Sequence, residues 1–110
     1  MQEKRKSIRY RTRAKASIPG VLENDALLKD ISVTGCCIEC TIRAHIKPDT
    51  QYTLQITPEP DSQIGTFDLL AQSRWIRSET DSCEIGFMIL ESPKGKQFQR
   101  YVDYLSYRAS

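Results

Sequence analysis

The sequence has little of what catalysis or membrane insertion requires. It holds a single histidine, His45, in a polar connection before Lys47-Pro48, with no neighbour in sequence to complete a triad. No H-E-x-x-H, G-x-S-x-G or glycine-rich phosphate loop occurs, and the fourteen acidic residues are scattered. An enzyme is therefore not expected. Long apolar runs are also missing: the longest, Ile85 to Leu90, is interrupted by Gly86, far short of the roughly 20 residues of a membrane-spanning helix. The charged N-terminus has no apolar stretch behind it and does not read as a secretory signal, so the cytoplasm is the expected compartment. Three of the four cysteines (36, 37, 40 and 83) fall within five residues, which suits reduced thiols better than loop-closing disulfides. C-x-x-C at Cys37 and Cys40 is half of a zinc site with no second half, so no metal is expected.

The net charge of +2 conceals an asymmetry. Residues 1–15 carry seven cations (Lys4, Arg5, Lys6, Arg9, Arg11, Arg13, Lys15) against Glu3, a net of +6, and the remaining 95 residues a net of −4. Such a cluster is either a solvated tail or an arm for phosphates. Its like charge and small apolar area predict that residues 1–9 are mobile without a ligand.

Within 110 residues, 39% of them hydrophobic, the chain has room for one small core and one domain. β-branched and alternating positions predict six strands, over Arg13–Ile18, Ala26–Ile31, Cys36–Ile42, Gln51–Thr57, Thr66–Arg77 and Cys83–Leu90. In the fifth, Phe67, Leu69, Ala71 and Trp75 share the parity of one face; in the third, Cys36, Ile38 and Cys40 share one face and Cys37 takes the other. Short strands at this spacing predict a mainly β fold, a six-stranded antiparallel barrel over residues 10–91. Ser92-Pro93 then reads as a helix start, and Phe98, Tyr101, Val102 and Leu105 recur as one helical face over residues 92–108. Tyr104 and Tyr107 fall off that stripe and are expected to be exposed.

Two motifs stand out. Arg5-Lys-Ser-Ile-Arg9 lies in the basic arm, and Asp30-Ile-Ser32-Val-Thr-Gly35 at a strand end. In this order and separation they resemble the R-x-x-x-R and D-x-S-x-x-G signature of the PilZ domain family. Lys4-Arg5 supplies a basic pair at the start of the first motif. Ser73-Arg-Trp75-Ile resembles the family's strand carrying an aromatic residue, and Glu84-Ile-Gly86-Phe87 its glycine-containing final strand. R-x-x-x-R alone is weak in so cationic an arm, where Arg9-Tyr-Arg-Thr-Arg13 is a second instance, so the pair Arg9/Arg13 stays open beside Arg5/Arg9.

The resemblance implies cyclic di-GMP as ligand, and the residue types suit it. A guanidinium fork engages guanine O6 and N7 or a phosphate, which a lysine cannot do bidentately. A carboxylate such as Asp30 is the natural acceptor for guanine N1–H and N2–H. Asp30 and Ser32, two apart on an extended chain, would project together, and Gly35 would let the backbone approach the ligand. Trp75 is a stacking surface for a base or a core residue, with the two readings evenly matched. Asp30, Ser32 and Gly35 could otherwise serve a capped turn or bulge. The implied ligand-binding set is Lys4, Arg5, Arg9, Asp30, Ser32, Gly35 and Trp75, with no further cofactor. Binding would close the arm over the barrel and present a composite surface to an unidentified effector protein; a homodimer is left open. A nucleotide-free interaction module and, with less support, a barrel for single-stranded nucleic acid are the competing readings.

Overall fold

The computed structural model describes residues 8–24, 26–41, 45–93 and 96–109. Seven strands and one helix follow in chain order: β1 (Tyr10–Arg11), β2 (Lys15–Ser17), β3 (Ala26–Ile31), β4 (Gly35–Cys40), β5 (Gln51–Thr57), β6 (Phe67–Ser78), β7 (Cys83–Glu91) and α1 (Lys96–Ala109). All pairings are antiparallel, and β2, β5, β6, β7, β4 and β3 close into a six-stranded barrel because β3 pairs with both β2 and β4. Closure removes the free edges of the sheet. The barrel interior is filled by Leu28, Ile31, Ile38, Leu54, Ile56, Leu69 and Ile85, all essentially inaccessible.

Of the first predicted strand, Arg13–Ile18, Lys15–Ser17 is found as β2; a separate short piece, β1, precedes the predicted range, and both pair with β3. The gap between the two pieces lies opposite the register shift of β3 between Leu28 and Asp30. There the Thr12 hydroxyl donates to the Leu28 carbonyl and accepts the Ala14 N–H, while backbone bonds from Thr12 N–H to the Lys29 carbonyl and from Leu28 N–H to the Ala14 carbonyl carry the chain along β3. Ile42, the predicted end of the third strand, and the mobile arm expected over residues 1–9, as far as residue 7, lie outside the described residues.

Two bulges decide what reaches the outer wall. Along β3, Leu28 pairs with Ile38 and Asp30 with Cys37, leaving Lys29 as the extra residue; along β6, Ser73 pairs with Phe87 and Trp75 with Gly86, leaving Arg74 extra. One extra residue inverts the facing of everything after it. Trp75 therefore does not continue the inward face of Phe67, Leu69 and Ala71, as simple alternation predicts, but stands outside the barrel, 46% exposed.

Helix α1 buries Phe98, Tyr101, Val102 and Leu105, the stripe read from the sequence. Phe67 at the start of β6 meets the Phe98 and Tyr101 rings, at centroid distances of 6.1 and 5.9 Å. The Tyr101 hydroxyl donates to Glu59 Oε1 at 2.6 Å, and Arg108 donates to Glu59 Oε2 at 2.8 Å and to the Arg11 carbonyl at 2.9 Å. Burial pushes the Glu59 carboxyl up, but the hydrogen bonds from Tyr101, the backbone and Arg108 outweigh it and hold the group below its ordinary range. Tyr107 is exposed, whereas Tyr104 is half-buried, because its ring stacks on Tyr101 with the Arg108 guanidinium against it. The helix expected from Ser92-Pro93 is found over Lys96–Ala109 instead; Ser92 and Pro93 are not helical, and residues 94 and 95 lie outside the described residues.

Candidate functional site

The D-x-S-x-x-G segment is the connection between β3 and β4, and its three fixed residues do three different things. Ser32 is fully buried and makes the turn: its Oγ accepts the Thr34 and Gly35 N–H groups, both at 3.1 Å, while its own N–H donates to the Gly35 carbonyl at 2.8 Å. Ser32 lies past the end of β3, so the alternation that would set its hydroxyl beside the Asp30 carboxylate no longer holds; the hydroxyl is engaged in the turn. Asp30, turned outward by the bulge, accepts a hydrogen bond from Arg9 Nη1 at 2.7 Å. Gly35 makes room for that pair. A Cβ there would stand 2.8 Å from the Phe87 carbonyl oxygen and 3.0 Å from Arg9 Nη2, closer than packed atoms tolerate.

Arg9 immediately precedes β1, whose pairing of Tyr10 with Ile31 and Arg11 with Asp30 delivers the side chain to this edge. Half of the Arg9 side chain and a quarter of that of Asp30 remain exposed, so donors and acceptors are left over for a ligand. Lys4 and Arg5, the other cations of the first motif, lie outside the described residues. Arg13, the alternative partner in the second R-x-x-x-R, is exposed beyond the break that follows β1.

Cross-strand register extends the site. Asp30 pairs with Cys37, Cys37 with Gly86 and Gly86 with Trp75, a single row across four strands. Three strand spacings span about 14 Å along the sheet. The row has a carboxylate–guanidinium pair at one end, an indole at the other, and two small residues as its floor. Beside it runs a second row of charge: Glu84 takes hydrogen bonds from Lys29, at 2.6 Å, and from Arg77. These bonds, that from Lys29 first, hold the Glu84 carboxyl below its ordinary range against the opposing effect of burial, and the bond to Glu84 raises Lys29. Arg77 in turn stands 5.9 Å from the Trp75 ring centroid, within cation–π range.

The floor is chemically quiet. Burial first, then the nearby Asp30 and Glu84 charges, push the Cys37 thiol up to about 11, so it is protonated near neutrality and a poor nucleophile. Cys36, on the core side, is pushed up to about 12 by burial. All four cysteines are buried, and among the described residues no His, Cys, Asp and Glu side chains gather as a metal site. His45 is exposed. The arrangement can hold a planar, hydrogen-bonding, anionic molecule between fixed charges and an aromatic face. Sequence reading missed Cys37, Gly86, Glu84, Arg77 and Lys29 as members of this surface. The available signal was the pairing of a lone tryptophan with a glycine of the next strand, a combination in which the ring covers the bare backbone.

Comparison with known proteins agrees with this fold. No curated protein matches the sequence significantly. Among solved structures, the chain is similar to one titled "Structure of Bacillus subtilis Inhibitor of motility (MotI/DgrA)", with a TM-score of 0.75 at 18% identity, over 97% of this chain and 51% of that one. The likeness is one of fold, and the chain spans about half the length of that structure. The family model described as PilZ domain matches residues 2–105, from the basic arm through the terminal helix. A match over nearly the whole sequence, on a barrel that carries both signature segments, establishes that the chain belongs to the PilZ domain family.

Proposed function

We propose that the chain is a receptor for cyclic di-GMP that passes the signal to a partner protein and performs no catalysis of its own. The observation that carries this reading is the Arg9–Asp30 pair seated over Gly35. It sets a guanidinium fork and a carboxylate side by side on an open wall, the two groups that complement the opposite edges of guanine. Trp75, outside the core and in register with Asp30, supports a stacking contact for a base. In this reading Lys4 and Arg5 reach the phosphates as the arm closes over the ligand, Ser32 contributes by shaping the turn, and the covered wall becomes the surface an effector recognises. The receptor would act in the cytoplasm.

Calorimetry tests the proposal. The protein is expected to bind cyclic di-GMP at low-micromolar or tighter concentration, and Arg9→Ala and Asp30→Ala are each expected to abolish binding while far-UV circular dichroism stays unchanged. Tight binding of oligonucleotides with no response to the cyclic dinucleotide would replace this reading with the nucleic-acid one. Silence toward both would leave an interaction module.

A further inference from the structure

At Gly86, on the floor, the backbone itself is covered by a side chain. A Cβ built there finds the indole of Trp75 as its three nearest neighbours, Cε2, Nε1 and Cζ2, the last at 2.7 Å and the other two closer still. Real Cβ atoms essentially never approach so near, so the ring occupies the volume that any other residue would claim. The φ of Gly86 is not in the positive range that favours glycine, which removes the conformational explanation for a glycine in mid-strand and leaves the steric one. One further contact, itself held in place, fixes the ring. Arg77 stands within cation–π distance, and Glu84 holds Arg77 while being held by Lys29. Yet nearly half of Trp75 remains accessible. An indole in direct contact with the sheet on one side and open on the other is preorganised for a second flat ring, because little side-chain freedom is left to lose on stacking.

We propose that Gly86 is a positioning residue of the ligand site: its missing side chain seats Trp75 against β7, with Arg77 and Glu84 alongside, as the platform for one base of the cyclic dinucleotide. The inference rests on the proposed function for the identity of the ligand, but the seating of the ring is readable without any ligand.

Gly86→Ala is the perturbation. The nearest atoms in the way belong to a half-exposed side chain, which can swing toward solvent, so the barrel is expected to fold. Trp75 is the only tryptophan, and intrinsic fluorescence therefore reports on this ring alone. In Gly86→Ala the emission maximum is expected to shift to the red and acrylamide quenching to increase, with far-UV circular dichroism as in the wild type. Affinity for cyclic di-GMP by calorimetry is expected to fall about tenfold to a hundredfold. Trp75→Ala is expected to lose a similar factor, and Gly86→Ala added to Trp75→Ala to lose nothing more, since a residue that acts through the ring has no effect once the ring is gone. Unchanged emission and affinity in Gly86→Ala would overturn the inference, as would additive losses in the double variant. Should Gly86→Ala fail to fold, the double variant, freed of the ring, is expected to fold; its failure would also overturn the seating argument. Absence of any wild-type binding would instead remove the proposed function, and the emission shift would still decide how Trp75 is held.

Discussion

Gly35→Ala tests the geometry of the signature most directly, because one methyl group meets two neighbours of different kinds. The first is the Phe87 carbonyl oxygen, 2.8 Å from the new carbon. It belongs to the backbone of β7, which pairs with β4 from Gly35 through Cys40, so relief requires the two strands to part by a few tenths of an ångström. Overpacking of this kind costs about 1–3 kcal/mol. For a domain near this size each kcal/mol lowers the melting midpoint by about 4 °C, so Tm is expected to fall by about 4–12 °C. The second neighbour is Arg9 Nη2 at 3.0 Å. The guanidinium must give by a few tenths of an ångström, which disturbs its 2.7 Å bond to Asp30. That pair is half-exposed and contributes only about 0.2–1 kcal/mol to stability, but both partners are assigned to the ligand, so affinity for cyclic di-GMP is expected to drop by about tenfold or more. Asp30→Ala separates the two effects: binding is expected to vanish while Tm moves by no more than about 4 °C. Thermal unfolding followed by circular dichroism, with calorimetry on the same samples, reads both quantities. A Gly35→Ala protein that melts and binds like the wild type would refute the argument, and so would an Asp30→Ala protein as unstable as Gly35→Ala.

Two other outcomes follow from the charges and thiols. Tyr101→Phe removes a buried hydroxyl from Glu59 and is expected to cost about 1.5–3 kcal/mol near neutral pH. Because the folded protein holds the Glu59 carboxyl below its ordinary value, the stability it contributes is complete above that ordinary range and is lost as pH falls through the depressed one. The gap in urea midpoint between wild type and Tyr101→Phe should therefore narrow below about pH 4, and a gap independent of pH would count against the Glu59 link. With all four cysteines buried and Cys36 and Cys37 raised to about 12 and about 11, a disulfide reagent at pH 8 should label the thiols only as the chain unfolds. A burst of one equivalent from native protein would contradict that.

Much of the barrel was legible because its core obeys a period of two, and the helix because Phe98, Tyr101, Val102 and Leu105 obey one of 3.6. Arg9, Asp30 and Gly35 were legible as a motif, since charge and the lack of a side chain are properties of single residues. What eluded the sequence was every feature that depends on register. The gap between β1 and β2 falls opposite the register shift of β3 between Leu28 and Asp30, with Thr12 hydrogen-bonded to Leu28 sixteen residues away, and nothing local announces it. Ser32 looked like a companion to Asp30 on an extended chain, but the strand ends between them. By alternation Cys37 takes the face opposite Cys36, Ile38 and Cys40, yet its place in the site depends on Asp30 on one side and Gly86 on the other, and only pairing supplies those neighbours.

The bulges at Lys29 and Arg74 explain why the same two strands serve both core and site. By parity Asp30 belongs with Ala26 and Leu28, and Trp75 with Phe67, Leu69 and Ala71, residues that all face inward and are buried. Continued regularly, β3 would bury a carboxylate and β6 an indole in a barrel already filled by leucine and isoleucine. A charge so placed is strongly disfavoured without a partner. One extra residue in each strand turns the polar and aromatic ends outward at the same level of the wall, where the Asp30–Cys37–Gly86–Trp75 row joins them. The segments before the bulges are left to pack the interior. Deleting Lys29 or Arg74 would thus damage core and site together, whereas substitutions on the outer row, such as Asp30→Ala, reach the ligand site with little effect on the core.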